Sequence, residues 1–553
     1  MARTFLLRYL RVPLFLSIAS ISAPLLQAQT LPLVLAHNNN NVEDTVRGMG
    51  TGDMLPQVTK LKGINSPDRD NNPIISADGS VIFFNSTRQA DRSWARFNMS
   101  RNRYDDDIYY ARREVVRQDE EVWSTPVNLG SLVNSSEDDG IAAISPDGQN
   151  VFFSSLKYGW EKDGGPFYVA SLQGTSWSSI KGMSGGITDF FTRRERSSKF
   201  RLYGAAISPD GKDFYFATTV NSQSEQHQIW VSHLVDGAWG YPQNLGPNIN
   251  SGKGNYAPFI AADGKTLFFA SYREGGHGGD DIYVSVLKDG EWQVPMNVGV
   301  PINTSGDDAF LSVPASGDVA YISSSREGSD DDIFRAPLPD LLRPDKVVLL
   351  SGVITDRLTG LPIEANIVIE DLQAGTTIFN ANSNSASGRY TVVLQPGKDY
   401  GISVNAPGYV FVSERYTIPA NADYKEFTQH FTVEKLQQGQ SFVVNNIFFA
   451  YKADSVTTES ALDLDRLAGL LKENPKLRIE VGGHTDNVGS ARYNELLSAR
   501  RAESVKEYLL NHGGIDSTRI EVKGYGFEKP AAPNDSEEGR RKNRRTEFTV
   551  LDM

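Results

Sequence analysis

Apolar and polar positions alternate in short runs over residues 55–338, and the runs are broken by Asp-Gly and Gly-rich turns. That pattern predicts strands joined by tight turns. The most regular stretch is "NYAPFIAADGKTLFFASYREGGHGGDDIYVSVLKDGEWQVPMNVG", Asn255 to Gly299. It reads as an apolar strand, a turn, the alternating strand "KTLFFAS", a Gly-rich loop, the strand "DDIYVSVL", a hairpin at Asp289-Gly290 and a last strand "EWQVPMNVG". Further along, residues 347–436 also alternate but lose the repeat. From about Gln440 the spacing changes to β-α-β-α-β, with Leu464, Leu467, Ala468 and Leu471 at helical intervals and Asn474-Pro475 ending that helix.

The strand unit recurs. Its turn returns at Ala77-Asp78-Gly79, Pro146-Asp147-Gly148, Pro209-Asp210-Gly211, Ala262-Asp263-Gly264 and, degenerate, at Ala315-Ser316-Gly317. Four short strands at a period of about 50–70 residues predict a β-propeller. The last copy ends at "IFRAPLP" without a fourth strand, while "LPQVTKLKGINS", Leu55 to Ser66, matches "YPQNLGPNINS", Tyr241 to Ser251. The N-terminal segment is therefore expected to complete the last blade, which leaves no free sheet edge. Five blades are expected. Six is the alternative, because Gly182 to Leu202 is long enough to hold further strands. The "SPDG…FF…D-I-Y" pattern resembles the TolB-like propeller family.

Acidic clusters at Asp105–Asp107, Asp280–Asp281 and Asp330–Asp332 precede the third strands. Three readings are open: the last Asp caps a turn and pins the blade, the loops hold calcium, or carboxylates at a channel mouth hydrolyse glycans. The strands "SGVITDRLTGLPIEANIVI" and "SGRYTVVLQPGKDYGISVNAPGY" predict a small β-sandwich over 345–436. They resemble the carboxypeptidase regulatory-like domain, which implies a non-catalytic spacer, and no His-Glu pair at zinc-ligand spacing accompanies them.

In "GHTDNVGSARYNELLSARRA", Gly483 to Ala502, the second half predicts a helix running to about Asn511 and stopped by Gly513-Gly514. Arg501 borders its apolar stripe, and Asp486 lies in the loop before it. From the residues alone two readings stand: the two pair with each other, or Asp486 accepts an ammonium while Arg501 grips a carboxylate. The free D-centre of meso-diaminopimelate carries both groups on one carbon.

Residues 440–553 resemble the OmpA C-terminal domain almost throughout. The signature T-D-x-x-G-x-x-x-x-N-x-x-L-S-x-x-R-A stands as Thr485-Asp486, Gly489, Asn494, Leu497-Ser498 and Arg501-Ala502, and the late N-R-R as Asn543-Arg544-Arg545. The resemblance implies peptidoglycan binding, with Asp486 and Arg501 holding the diaminopimelate and Thr485, Asn494, Leu497 and Arg545 lining the pocket. Gly482 departs from the acidic or small polar residue usual there and is expected to loosen the strand's end. His484 has no catalytic partner in the motif and reads as a loop-packing residue.

Composition narrows the functions further. A net charge of -13 has the wrong sign for a general nucleic-acid binder. The run "GRRKNRR" is accordingly read as framing ligand carboxylates or as a solvated face. With no cysteine there is no lipobox, disulfide framework or thiolate metal site. Arg3, Arg8 and Arg11 precede an apolar core from Val12 to about Leu26, which predicts a signal peptide cleaved after Ala28 and a linker over 29–54. No later run is long enough for a spanning helix. The reading is a periplasmic protein peripheral to the outer membrane, with no catalytic residues, cofactor or metal. It binds a peptidoglycan stem peptide at one end and an envelope protein through its propeller at the other. The domain order resembles the PorE family of type IX secretion, without its tetratricopeptide helices. The alternative is a wall-localised glycan hydrolase.

Overall fold

A computed structural model describes residues 57–553 apart from 89–96, 99–102, 118–119, 158, 196–199, 220–225, 329, 445–446, 448, 450–455 and 458–459. The expected signal peptide over 1–28, the expected linker over 29–54 and part of the expected first C-terminal strand lie outside the described residues. The protein is β-rich and multidomain. Five antiparallel sheets of four or five strands occupy residues 59–337. Their middle strands carry paired apolar residues such as Phe83-Phe84 and Phe268-Phe269. Successive side chains point to opposite faces, so both faces of each sheet are buried. Phe84 and Tyr109 pack with Tyr321 and Ile333, Phe153 and Phe167 with Phe214 and Phe216, Tyr215 with Leu267 and Phe269, and Phe268 with Ile322 and Phe334. The first strands of the sheets are Asp70–Ile75, Asp139–Ile144, Leu202–Ile207, Lys253–Ile260 and Asp308–Ser312. Each packs on the next, and the fifth packs on the first. Thr59–Lys60 pairs antiparallel with Asp332–Pro337, Thr59 opposite Arg335 and Lys60 opposite Phe334. Among the described residues the long segment after Gly182 holds no further sheet: Gly185–Glu195 is a helix, α1, that buries Ile187, Phe190 and Phe191.

Sheet geometry repeats at the level of single side chains. Arg88 donates to Asp70 (2.6 Å), Ile64 O and Ser86, and Arg326 repeats this on Asp308 (3.0 Å), Ile302 O and Ser324. Arg273 does the same with Asn255, Ile249 O and Ser271. At the equivalent place in the second sheet stands Lys157, whose ammonium meets Asp163 at 3.1 Å, and the Asp139 carboxyl, buried without a guanidinium, is pushed up to about 7 by desolvation. In the acidic clusters, Asp281 closes a turn by accepting from the His277 N–H (2.7 Å) and Asn297 (3.1 Å), whereas Asp332 meets Lys60 of the N-terminal strand at 2.6 Å.

Two sheets facing one another across a common core follow, one built on Val348–Asp356 and the other on Asn366–Asp371. They sit against the Asp-Gly turns of the first five sheets. Asp345 N–H donates to Asp263 (3.0 Å), Lys212 Nζ to Thr377 O (3.0 Å) and Gln149 Nε2 to Asn382 O (2.9 Å). A small apolar cavity, ≈ 60 Å³, is left there between Ile75, Ile144, Ile207, Ile260 and Val393.

The last sheet runs Ser441–Val443, Thr546–Asp552, Arg478–Gly483, Ile520–Gly524. Three helices accompany it: α2, Ala461–Glu473; α3, Ala491–Asn511; and α4, Glu537–Asn543. α2 buries Leu464, Leu467, Ala468 and Leu471, and Gly514 follows α3 at φ 65°, where a side chain would be strained. α4 takes up most of the basic run. The crossing from the middle sheets is bonded throughout: Leu436 N–H to Gly408 O, Gly439 N–H to Val550 O and Val550 N–H to Gln440 O. Val410 and Phe411 of the middle region enter the C-terminal core, and Arg466 on α2 joins Glu370 to Asp463, all three largely buried.

Candidate functional site

Two glycines set the site's floor. A Cβ on Gly483 would lie 2.1 Å from Ser498 O, and one on Gly524 2.6 Å from Glu495 O and Ala499 N. Only bare backbone lets α3 rest on these strand ends. The loop 484–490 is then fixed by hydrogen bonds: His484 N–H to Arg545 O (3.0 Å), Thr485 N–H to Gly526 O (2.8 Å), and Gly526 N–H to Ser498 Oγ (2.9 Å). Asn494, buried on α3, donates to Val488 O at 3.1 Å, and Ser490 caps the helix by accepting from Tyr493 N–H. Asn494 thus shapes the loop from beneath.

That loop carries Asp486, which is largely buried. Its Oδ1 accepts from Val488 N–H at 3.0 Å, and its Oδ2 meets Arg544 Nη1 at 2.7 Å. Arg544 also reaches Glu537 on α4 at 2.7 Å, and both carboxylates hold its guanidinium above the usual range. Arg501 lies with its guanidinium 4.9 Å from the Phe449 ring centroid. The Asp486 carboxylate therefore meets Arg544 and not Arg501. Arg545 turns the other way, onto Glu547 (2.7 Å) and Lys529 O (3.2 Å). Leu497 is half-buried on α3. Thr485 is buried, and among the described residues its Oγ1 has no hydrogen-bond partner.

Arg544 and Phe449 are the neighbours that the sequence reading passed over. The N-R-R signature contained the first, but pocket lining was assigned to Arg545 alone. Asn543 accounts for the motif's asparagine. It is fully buried and ties down Ala531 and Ala532 N–H (2.7 and 2.9 Å) and Ala532 O (2.8 Å), which places Arg544. His484 is buried and stacks on Tyr525, centroids 5.0 Å apart, and burial together with the Arg545 charge pushes its pKa down to about 4. Gly482 makes room for that stack, since a Cβ there would sit 3.1 Å from the Tyr525 ring. It is paired with Lys523 on one side and Glu547 on the other, so the strand's end is not loosened as its glycine suggested.

Residues 448–544 match the OmpA family. By this segment the chain belongs to the OmpA family. Residues of this OmpA domain are 35% identical over 118 residues to the outer-membrane lipoprotein YfiB of Pseudomonas aeruginosa, covering 21% of this chain and 70% of the lipoprotein. The outer membrane porin F of Pseudomonas aeruginosa is 39% identical over 105 residues, covering 19% of this chain and 30% of the porin. The chain thus spans about a third of the length of the first curated relatives it matches. Among solved structures, the peptidoglycan-associated lipoprotein of Burkholderia pseudomallei is 29% identical, covering 19% of this chain and 88% of that one, with a TM-score of 0.18. Among the described residues no helix is long and apolar enough to cross a membrane, and no three acidic or His side chains are grouped to hold a metal ion.

Proposed function

We propose that the OmpA domain binds peptidoglycan by the zwitterionic D-centre of a diaminopimelate stem peptide, Asp486 taking the ammonium and Arg501 the carboxylate. One observation carries the reading: Asp486, largely buried on a fixed loop, has one oxygen tied to backbone and the other on a side-chain cation, the half-exposed Arg544. A ligand ammonium takes the place of that guanidinium, which keeps Glu537 as a partner. Thr485 and Asn494 are buried beneath the loop and keep it in shape, Leu497 borders the site from α3, and Arg545 acts from behind the loop, through its carbonyl bond to His484 N–H. The naming of relatives as peptidoglycan-associated supports this. The test is sedimentation with purified sacculi. The wild-type chain pellets, whereas Asp486→Ala and Arg501→Ala stay in the supernatant with unchanged circular dichroism; pelleting of both variants would sink the reading.

Residues 55–340 are read as a five-bladed TolB-like propeller, supported by the cycle of strand contacts and the pairing of Thr59–Lys60 with the last sheet. Residues 345–436 are read as a regulatory-like sandwich that spaces it from the wall. In this reading the protein is a non-catalytic periplasmic tether, peripheral to the outer membrane, that holds an envelope partner to the cell wall, with type IX secretion as the candidate assembly. A second reading, glycan hydrolysis, draws on Asp280, Asp307 and Asp331 lining one cavity. Release of reducing ends from sacculi, lost in Asp280→Asn, would establish it.

A further inference from the structure

The five sheets have two ends with opposite chemistry. The end carrying the Asp-Gly turns is apolar and is shut by the middle sheets, Val393 among them. The other end opens into a cavity of ≈ 1540 Å³. Pockets for single small molecules run to about 1,000 Å³, so this volume suits an oligomer. Its wall carries flat rings in sequence: Tyr203 and His227 with centroids 3.8 Å apart, Tyr203 and Tyr256 at 6.1 Å, Tyr256 and Phe310 at 5.9 Å. Ala257 and Phe310 hold φ of 49° and 52° in bulges of their strands, as Asn72 does at 51° in the first sheet, so the bulge that sets these rings on the wall is part of the repeat.

The charges of this mouth balance. Arg69, Arg201 and Lys253 face Asp280, Asp307 and Asp331. Several are already paired: Arg69 with Asp331 at 2.7 Å, Asp280 with the Tyr256 hydroxyl at 2.9 Å, Asp307 with the Asp280 N–H at 3.1 Å. Such a lining offers planar donors and acceptors without net charge, which disfavours polyanions and charged chain termini. Among the described residues the lining mixes polar and apolar side chains rather than forming a deep apolar slot of the kind that anchors a protein hot spot; the apolar end is the covered one.

We propose that this mouth binds a neutral oligosaccharide. Pyranose rings present flat C–H faces, which lie on aromatic rings, and vicinal hydroxyls, which both donate and accept and so match paired carboxylates and cations. The proposal rests on the reading of residues 55–340 as the partner-binding part, and it names what is recognised there: a sugar chain, whether of the wall, of a surface polysaccharide or on a glycoprotein.

The experiment is equilibrium titration of the full chain with an N-acetylglucosamine tetramer, a glucose tetramer and a pool of random dodecapeptides. One tetramer is expected to bind saturably, and Tyr203→Ala and Lys253→Ala to weaken it by about tenfold or more. Lys253 is exposed, so its variant tests the site even where Tyr203→Ala does not fold. Asp486→Ala is expected to bind the sugar like wild type, which separates this site from wall retention. Binding of the acetylated tetramer alone assigns the wall's own strands, and of the glucose tetramer another polysaccharide. No sugar binding, undiminished binding in Lys253→Ala, or binding of peptides alone overturns the proposal.

Discussion

At the scale of single residues, His484 ties the candidate site to pH. Its pKa is about 4 in the folded chain against an ordinary 6.5. Between those values the unfolded chain binds a proton that the folded one does not, so folding stability rises with pH across that window and is lost as pH falls from 6.5 toward 4. Thermal melts of the wild-type chain are expected to show the OmpA domain's midpoint dropping over that range, and His484→Phe, which keeps the stack on Tyr525, to flatten the drop. An equal drop in the variant would place the effect elsewhere. Asp486, Arg501 and Asn494 were legible in the sequence because the motif fixes their spacing. The partner of Asp486 was not. Arg544 and Arg545 are adjacent and chemically alike, and which one turns toward the loop depends on α4 and on Asn543, neither of which leaves a periodic trace.

At the scale of elements, the contact between α3 and the strand ends sets the site's geometry. Gly483→Ala forces a methyl group against the Ser498 carbonyl. Overpacking of this kind costs about 1–3 kcal/mol. Sacculus binding is expected to fall with Asp486 and Arg501 both intact, alongside a lower melting point; unchanged binding would mean the helix position does not matter. Strands, turns and the ends of α2 and α3 were readable because alternation, Asp-Gly turns and capping residues agree with one another. α1 was not. Residues 185–195 lie where the repeat loosens, and their apolar residues Ile187, Phe190 and Phe191 serve packing against two neighbouring sheets rather than a long amphipathic stripe. α4 hid inside a basic run, which reads first as charge and only afterwards as a helix whose last turn carries Arg540, Arg541 and Lys542.

At the scale of the whole molecule, the middle sheets are bonded on both sides, which no sequence pattern reports, because the residues involved are ordinary polar side chains far apart in the chain. Arg466 is the clearest case: its guanidinium bridges Glu370 and Asp463, and Ser413 donates to Asp463. Removing one member of such a buried group costs about 3–5 kcal/mol. Calorimetry of Arg466→Ala is expected to split the melting of the OmpA domain from that of the middle sheets, whereas a single unshifted transition would show that the bridge contributes nothing to coupling. The crossing at residues 436–440 bears on the same point. Because Leu436, Gly439 and Gln440 are held in backbone hydrogen bonds on each side, no slack leash separates the two regions. If the OmpA domain is held by the wall as proposed, a pull on it would travel straight into the sheets beyond it instead of being spent in stretching loose chain, and the molecule would carry tension like a strut.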